Sequence, residues 1–362
     1  MVNDKHLRFL LKAYNLSKSK FGSTFPNPAV GCLIVNNDKV ISTGVTAIEG
    51  RPHAEEIALK KAGNKAKGSI MYVTLEPCFH SSRNGSCAEQ ILRSGIKAIY
   101  ISRHDPDRRT DGKSIKKLKQ NGLKVFCGLH QNKINNLNKF FFYSLKNKRP
   151  FVKVKMAISY DEKITKNNYF SKWISNSKSR NFSHDLRFNS QAILTTSKTI
   201  IKDNPKFTVR KNNKIIKYLP TIIIDNTLKI PLKTKILKDI SKKRVIIFTT
   251  SKNKKKLEIL KRLGCEIILM KLNNKNQMNL KTIFKKLYIL RINDILIEAG
   301  GIFFSNLIKN KLVDEIHLFR SDKIIGKKGR PLLLNKSINE LKTEEISRKK
   351  FDNDIYHHLK II

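Results

Sequence analysis

The chain has 362 residues, 40% of them hydrophobic, and its 74 Lys and Arg against 28 Asp and Glu give a formal net charge of +46. This length exceeds one ordinary hydrophobic core and predicts two domains, while five cysteines are too sparse for a disulfide scaffold and are typical of a reducing compartment. No apolar run reaches the ~18 residues of a membrane span, and charges interrupt the apolar pattern of "MVNDKHLRFLLKAYNLSKS", so we expect a cytoplasmic protein without a membrane helix or signal peptide.

The positive charge is spread through the whole chain. Lysines stand beside abundant Asn and Ile in both halves, as in "KLNNKNQMNLKTIFKKLYIL". This pattern indicates a compositional drift toward Lys, Asn and Ile and lacks the clustering expected of a nucleic-acid surface. A field this positive would still concentrate anionic, phosphorylated small molecules. We therefore expect a phosphorylated small-molecule substrate and no specific nucleic-acid partner.

The first part of the chain alternates helical and strand patterns. A hairpin turning at Asn36 to Asp38 is expected in "AVGCLIVNNDKVISTGV". Helices are expected at about 4–19, from His53 to Gly63, in "SCAEQILRSG", in "DGKSIKKLKQNG" and from about Gln131 to Leu145, with strands in "GSIMYVTLE", "IKAIYIS" and "LKVFCG". This order predicts an α/β layered domain in which helices cover a mainly parallel sheet.

The polar piece "KNKRP", Lys146 to Pro150, interrupts this alternation and is the expected boundary between domains at 1–146 and 147–362. The α/β alternation then starts again. Strands are expected in "FVKVKMAIS", "QAILTT", "PTIIID", "RVIIFTT", "CEIILM" and "NDILIEAGG", and helices in "SKSRNFSHDLRFNS", in "KKKLEILKRLG" and after the last strand. The passage from Lys271 to Lys285 is expected to be a solvated loop and helix face.

Three residues of the first domain are candidate metal ligands. His53 opens the "HAEEIALKKAG" helix, Cys78 follows the strand in "TLEPC", and Cys87 opens the next helix. A single His or Cys is more often structural, but together they form the His/Cys/Cys set of a catalytic zinc site, which leaves one position for water. Such a water needs a proton carrier, and Glu55 completes the H-x-E then P-C pattern of zinc deaminases.

Eight residues, "FHSSRNGS", separate the two cysteines, where cytidine and tRNA-adenosine deaminases have two. Together with "FPNPAVG" and "HDPDRRTDGK", this longer loop resembles the pyrimidine deaminase of riboflavin synthesis. The resemblance implies a cytidine-deaminase-like three-layer α/β/α domain, with substrate contacts at Asn27, His80, Arg83 and Asp105. Two segments depart from the family pattern, because "HSSRNGSC" replaces H-x-G-[KR]-T-P-P-C and "DPDR" replaces "DPNP".

The second half resembles the reductase half of the same bifunctional family, through "KVKMAISYDEKI", "SKWIS", "LRFNSQAILTTSKTIIKDNPKFTVR" and "IEAGG" in that order. This resemblance implies a dihydrofolate-reductase-like α/β fold that uses NADPH. The implied NADPH contacts are Ile158, Trp173, Thr199, Asp203, Asn226, Gly300, Gly301, Ile302 and Phe303, and the implied substrate contacts are Lys155, Ser171, Arg187, Phe207, Arg210 and Glu298. Two glycines between a buried strand and a helix also allow backbone N–H groups to approach a pyrophosphate. Glu162 stands where the family has a turn glycine.

The resemblance as a whole implies a bifunctional enzyme of riboflavin synthesis. The first domain, with one zinc ion, would deaminate 2,5-diamino-6-(5-phosphoribosylamino)pyrimidin-4-one by hydrolysis. The second would use NADPH to reduce the ribosyl side chain and give 5-amino-6-(5-phosphoribitylamino)uracil. Related enzymes form dimers or tetramers, so a homo-oligomer is expected. Two alternatives stay open: a tRNA deaminase with an appended RNA-binding domain, and a zinc-stabilised binding protein without catalytic activity.

Overall fold

The chain folds into two compact units, Met1–Lys148 and Arg149–Ile362. The computed structural model describes residues 4–20, 23–80, 85–165, 173–273, 277–333 and 337–362. Across these ranges, no helix is both long and apolar enough to cross a membrane.

The first unit contains a five-stranded sheet with the order β2-β1-β3-β4-β5. Its strands are β1 (Gly31–Asn36), β2 (Lys39–Val45), β3 (Ile70–Val73), β4 (Ala98–Ile101) and β5 (Lys124–Cys127), and its helices are α1 (Asp4–Lys18), α2 (Ala54–Ala62), α3 (Cys87–Arg93), α4 (Lys113–Gln120), α5 (Gln131–Leu137) and α6 (Lys139–Asn147). The pairings of β3 with β4 and of β4 with β5 are parallel, whereas those of β1 with β2 and with β3 are antiparallel. The expectation of a mainly parallel sheet is therefore only half right, since the hairpin at Asn37 and Asp38 reverses the first strand.

Helices cover both faces of this sheet, which gives three layers. Leu33 and Tyr72 pack with α1 on one face, while Ile34 and Met71 pack with α2, α3 and α4 on the other. Alternate residues of each strand therefore enter opposite cores. A Cβ at Gly31 would lie 2.0 Å from the Ala13 carbonyl oxygen, so the close approach of α1 to β1 requires glycine there.

The helix expected from Gln131 to Leu145 is instead two helices, α5 and α6, separated at Asn138. Asn138 has φ −109° and ψ 24°, outside the helical region. Its side chain accepts a hydrogen bond from the Ala29 N–H (2.9 Å) and donates one to the Ala29 carbonyl (3.1 Å). The break is thus caused by a contact with a segment far away in sequence.

The second unit is built on a nine-stranded sheet with the order β13-β12-β11-β8-β14-β6-β15-β18-β17. Its strands are β6 (Phe151–Ile158), β7 (Lys163–Thr165), β8 (Ala192–Thr196), β9 (Thr208–Lys211), β10 (Lys214–Tyr218), β11 (Thr221–Ile224), β12 (Val245–Thr249), β13 (Glu266–Leu269), β14 (Asp294–Ile297), β15 (Glu315–Arg320), β16 (Arg330–Pro331), β17 (Thr343–Phe351) and β18 (Asp354–Ile361). Its helices are α7 (Ser177–Phe188), α8 (Ser197–Asp203), α9 (Lys235–Lys238), α10 (Lys254–Arg262), α11 (Leu280–Ile289) and α12 (Gly301–Lys309).

All pairings from β13 to β15 in this sheet are parallel, and β18 and β17 complete it with antiparallel pairings. The carboxyl ends of β6, β8, β11, β12 and β14 therefore meet at one edge, where open α/β sheets bind ligands. The passage from Lys271 to Lys285 is more buried than expected, because Ile283 and Phe284 of α11 enter the core.

Candidate active sites

The three candidate metal ligands of the first unit lie together. His53 Nδ1 is 3.3 Å from Cys87 Sγ, and the Cys87 N–H donates to Cys78 Sγ (3.3 Å). All three ligand atoms are within 4.8 Å of one another. His53 is the residue before α2 and Cys87 is the first residue of α3, so the N-termini of two helices face this cluster. Their partial positive charge favours thiolate there.

Glu56 holds the His53 backbone in place. Its carboxylate accepts a hydrogen bond from the His53 N–H (2.6 Å) and another from Gln90 Nε2 of α3 (3.2 Å). It therefore connects the two helices that carry His53 and Cys87. Glu56 was not among the residues predicted from the sequence, although a Glu at the third position of a helix is the signal of a capping box.

The electrostatics of the cluster fit a metal ion. A hydrogen bond with Cys87 is the main cause that lowers the pKa of Cys78 to about 4, and the same interaction raises the pKa of Cys87. When two sulfurs share one proton in this way, a metal cation can bind both of them with release of that proton. One imidazole nitrogen with two sulfurs is a zinc donor set, and a bound zinc would lower the pKa of a water in its fourth position.

Glu55 lies in the first turn of α2 and is 4% exposed. Burial raises the pKa of its carboxyl to about 7, against the opposing effect of the His53 charge. Glu55 follows the ligand candidate His53 by two residues, and the charges of His53 and Cys78 act on its carboxyl. A carboxyl group with a pKa near neutrality can both take and return a proton.

Two of the four candidate deaminase substrate residues lie at this cluster. Asn27 Nδ2 donates to the Gly50 carbonyl (2.9 Å) and is 3.3 Å from His53 Nε2. The His80 carbonyl oxygen is 4.0 Å from Cys78 Sγ. The Nδ1 atom of His80 is buried and has no hydrogen-bond partner among the described residues. Arg83 lies outside the described residues.

The fourth, Asp105, is held by a buried carboxylate. Glu76 accepts hydrogen bonds from the N–H groups of Asp105 (3.1 Å) and Gly112 (3.0 Å) and from the Ser114 hydroxyl (2.7 Å). Burial raises the pKa of the Asp105 carboxyl to about 7. Glu76 thus shapes the loop after β4. Glu76 was not among the residues predicted from the sequence, although a charged residue between a buried strand and "PC" is itself a signal.

Four candidate substrate residues of the second unit form one group. Arg187 Nε and Nη2 donate to the two carboxylate oxygens of Glu298 (2.5 and 2.9 Å), and Arg187 also lies over the Phe207 ring. Burial lowers the pKa of Lys155, and the nearby Glu298 opposes this effect. Burial would raise the pKa of Glu298, but the Arg187 charge outweighs it and the net shift is downward.

The remaining two substrate residues of the reductase set are placed differently. Arg210 has an exposed side chain, and its backbone N–H donates to His184 Nδ1 (3.2 Å). His184 interacts electrostatically with Arg187 and Glu298, so Arg210 belongs to the same neighbourhood. Ser171 lies outside the described residues.

Most candidate NADPH contacts follow the carboxyl ends of parallel strands. The hydroxyl of Thr199, in α8, is 3.2 Å from that of Thr196, the last residue of β8. The carbonyl of Asn226, which follows β11, accepts hydrogen bonds from the hydroxyls of Thr249 and Thr250 at the end of β12 (3.1 and 2.9 Å). After β14, Gly300 precedes α12, and no described atom lies within 4 Å of the point where its Cβ would be. This helix terminus therefore fits a pyrophosphate.

The other candidate NADPH contacts vary in exposure. The Ile158 side chain is fully buried in the core, so only its backbone faces the sheet edge. Trp173 is 53% exposed, with the Arg180 guanidinium 5.0 Å from its ring centre. Asp203 and Ile302 are exposed, Phe303 is half-buried, and Gly301 is buried against the Leu332 carbonyl.

Comparisons with known proteins identify the family of both units. Residues 3–103 match the family model of the cytidine and deoxycytidylate deaminase zinc-binding region, and residues 150–357 match that of the RibD C-terminal domain. The riboflavin biosynthesis protein RibD of Aquifex aeolicus is 36% identical over 332 residues, which cover 90% of this chain and 89% of that protein. The chain belongs to the RibD family.

Solved RibD structures share its fold over the whole length. Acinetobacter baumannii RibD, form 2, superposes with a TM-score of 0.85 at 28% identity, covering 99% of both chains. A diaminohydroxyphosphoribosylaminopyrimidine deaminase/5-amino-6-(5-phosphoribosylamino)uracil reductase from Thermotoga maritima has a TM-score of 0.79 at 28% identity, again covering 99% of both. The predicted fold class is confirmed. This RibD family member is a bifunctional enzyme with a zinc-dependent deaminase domain and an NADPH-dependent reductase domain.

Proposed function

We propose that this chain deaminates 2,5-diamino-6-(5-phosphoribosylamino)pyrimidin-4-one and then reduces the ribosyl side chain of the product to give 5-amino-6-(5-phosphoribitylamino)uracil. The observation that carries the first reaction is the convergence of His53, Cys78 and Cys87 beside the buried Glu55. The related Thermotoga maritima deaminase/reductase is named for the same substrates, which supports this proposal. The tRNA deaminase alternative is not favoured, because the appended domain matches the RibD C-terminal domain.

In the proposed deamination, Glu55 moves the protons. A water oxygen adds to the ring carbon that bears the amino group. Glu55 carries one proton of that water to the neighbouring ring nitrogen and the other to the amino group, which departs as ammonia. Asn27 and His80 lie at the cluster and would contact the pyrimidine. Asp105, whose backbone is held by Glu76, is proposed as a further substrate contact. Arg83 is proposed to bind the ribose phosphate.

In the proposed reduction, the second unit binds the opened ribose, in which C1 is double-bonded to the amino nitrogen. A bound NADPH would supply a hydride to C1, and a proton from water would go to the nitrogen. Because Arg187 and Glu298 neutralise each other through two hydrogen bonds, we assign the phosphate to Lys155 and Arg210, with Ser171. The Arg187–Glu298 pair then holds sugar hydroxyls, and Phe207 lies below it. The residues after β8, β11 and β14 would hold the NADPH.

Glu55→Gln tests the deaminase assignment. Glutamine keeps the shape of the side chain but cannot carry a proton, so ammonia release should fall by at least about 100-fold, the usual contribution of general acid–base catalysis. Zinc content should stay at the wild-type level, because Glu55 is not a proposed ligand. NADPH oxidation with the deaminated intermediate should also be unchanged, which controls for folding. Full ammonia release by the variant would refute the role.

We also propose that the chain forms a dimer or tetramer in solution. The support is the resemblance alone. Light scattering of the purified chain measures the mass directly, and a mass equal to that of one chain of 41.7 kDa would contradict this proposal.

A further inference from the structure

A second cluster of ligand-type side chains lies in the sheet of the reductase unit. Glu315 and His317 are on β15, two residues apart and hence on one face, and His358 is directly opposite His317 on β18. One ligand atom from each residue lies within 4.8 Å of the other two. Glu315 and His317 are buried, and the side chain of His358 is 19% exposed. This set has no part in the reactions proposed above.

The imidazole rings are oriented toward Glu315. The two rings stack with centroids 4.5 Å apart and planes inclined by 22°. His317 Nδ1 is 2.7 Å from the Tyr356 hydroxyl, which fixes the ring and leaves Nε2 directed at the Glu315 carboxylate, 3.9 Å away. A hydrogen bond at the second ring nitrogen is the usual way in which proteins orient a metal-binding histidine.

The contact between His358 Nε2 and the Glu315 carboxylate is not an ordinary hydrogen bond. The nitrogen is 3.0 Å from Glu315 Oε2, but the contact is not aligned as a hydrogen bond, and no described residue accepts from or donates to this buried nitrogen. A cation bound between His358 Nε2 and Glu315 Oε2 would produce such a close but unaligned contact, because the lone pairs of both atoms would then point at the cation and not at each other.

The charges around Glu315 also suit a cation site. The two lysines opposite Glu315 in the sheet register have carboxylate partners of their own. Lys153 Nζ pairs with Asp294 (2.6 Å), and Lys360 Nζ pairs with Glu344 (3.3 Å). The imidazoles of His317 and His358 lie beside the Glu315 carboxylate.

We propose that Glu315, His317 and His358 bind a second zinc ion. Two imidazole nitrogens and one carboxylate oxygen are a recognised zinc set, with one position left for water. The ion would join β18 to β15 and thereby hold the last strand of the chain in the sheet. Lys155, a proposed reductase substrate contact, is opposite His317 on the neighbouring strand β6, so the proposed zinc site adjoins the proposed reductase site.

Zinc stoichiometry tests the proposal. The intact chain, freed of metal and then titrated with Zn²⁺, is expected to bind two equivalents. The full chain carrying Cys78→Ser and Cys87→Ser, which removes the first site, is expected to bind one equivalent and to show a higher thermal midpoint with zinc. Binding of no zinc by this double variant would overturn the proposal.

His357 provides a matched control. It is the neighbour of His358 on β18, and its Nδ1 pairs with Glu345 of β17 (2.6 Å). In the background lacking the two cysteines, His358→Gln should abolish zinc binding, whereas His357→Gln should leave one equivalent. Retention of one equivalent by the His358 variant would also overturn the proposal.

Cobalt binding to the unmodified chain, followed by visible absorption, tests the proposal without any substitution that could disturb folding. The His53, Cys78 and Cys87 site should give intense thiolate-to-cobalt charge-transfer absorption, and the Glu315, His317 and His358 site only weak visible bands. Two equivalents with these two signatures support the second site. A single equivalent with the thiolate signature means that the second cluster is an ion pair only.

Discussion

Glu162 has a backbone conformation that side chains disfavour. Its φ is +59°, in the left-handed region, at the position where related reductases have glycine. Its carboxylate accepts hydrogen bonds from the Ser337 hydroxyl (2.9 Å) and the Ile338 N–H (3.1 Å), and it pairs with Arg320 (3.3 Å). These contacts offset the strain, so the departure from the family pattern in "YDEKI" has a structural compensation.

Two substitutions separate the strain from the contacts. Glu162→Ala and Glu162→Gly both lose the carboxylate, but only glycine relieves the left-handed backbone. We expect the glycine variant to be the more stable of the two by about 1 kcal/mol, as measured by urea denaturation of both. The same pair of substitutions at Glu344, an exposed residue of strand β17, should give the opposite order. Equal stability of the two Glu162 variants would show that the backbone there is not strained.

The residues that act by direct chemistry were easier to predict than those that position them. His53, Cys78 and Cys87 lie within local motifs, and the sequence indicated all three. Glu56 and Glu76 act through backbone N–H groups, and any carboxylate near a turn has the same appearance in a sequence. The cluster of Glu315, His317 and His358 was missed because its members become neighbours only through the register of two strands.

At the scale of elements, the break between α5 and α6 connects to the deaminase site. Asn138 binds both polar groups of the Ala29 backbone, two residues after Asn27. Asn138→Ala would leave the buried N–H and carbonyl of Ala29 unpaired and should lower the free energy of unfolding by roughly 2 to 6 kcal/mol, at ~1–3 kcal/mol for each group.

The control for this prediction is Asn147→Ala. Asn147 is exposed at the end of α6 and donates to the Tyr143 carbonyl (2.9 Å), so its loss should change stability by less than ~0.5 kcal/mol. Urea denaturation followed by circular dichroism compares the two variants with the wild type. If both variants unfold at the same urea concentration, the contact with Ala29 does not stabilise the break.

Elements with strong periodicity were predicted, and those defined by distant partners were not. The helices α2, α3, α4, α7 and α10 and the apolar strands of both sheets follow their sequence patterns. Strand β17, "TEEISRKKF", is mostly exposed and carries charges at most positions, so its sequence lacks the apolar alternation of a strand. It forms because β18 provides eight paired positions for it.

At the scale of the whole molecule, the charge of +46 should affect substrate capture. A positive field attracts a phosphorylated substrate, and salt screens this attraction beyond a Debye length of ~10 Å at 0.1 M. We expect the KM for the phosphorylated pyrimidine to rise severalfold between low and high salt, with kcat little changed. The matching substrate without phosphate should show a much smaller change. An equal salt effect on both substrates would indicate a cause other than electrostatic attraction.

The central position of β6 has a consequence for synthesis on the ribosome. This strand leaves the ribosome first in its unit, yet its two neighbours, β14 and β15, follow it by roughly 140 and 160 residues. At ~5–20 residues per second, an emerging β6 waits on the order of 10 to 30 seconds with both edges open. The preceding unit can close during this interval, whereas the nascent β6 segment is where we expect chaperones to bind.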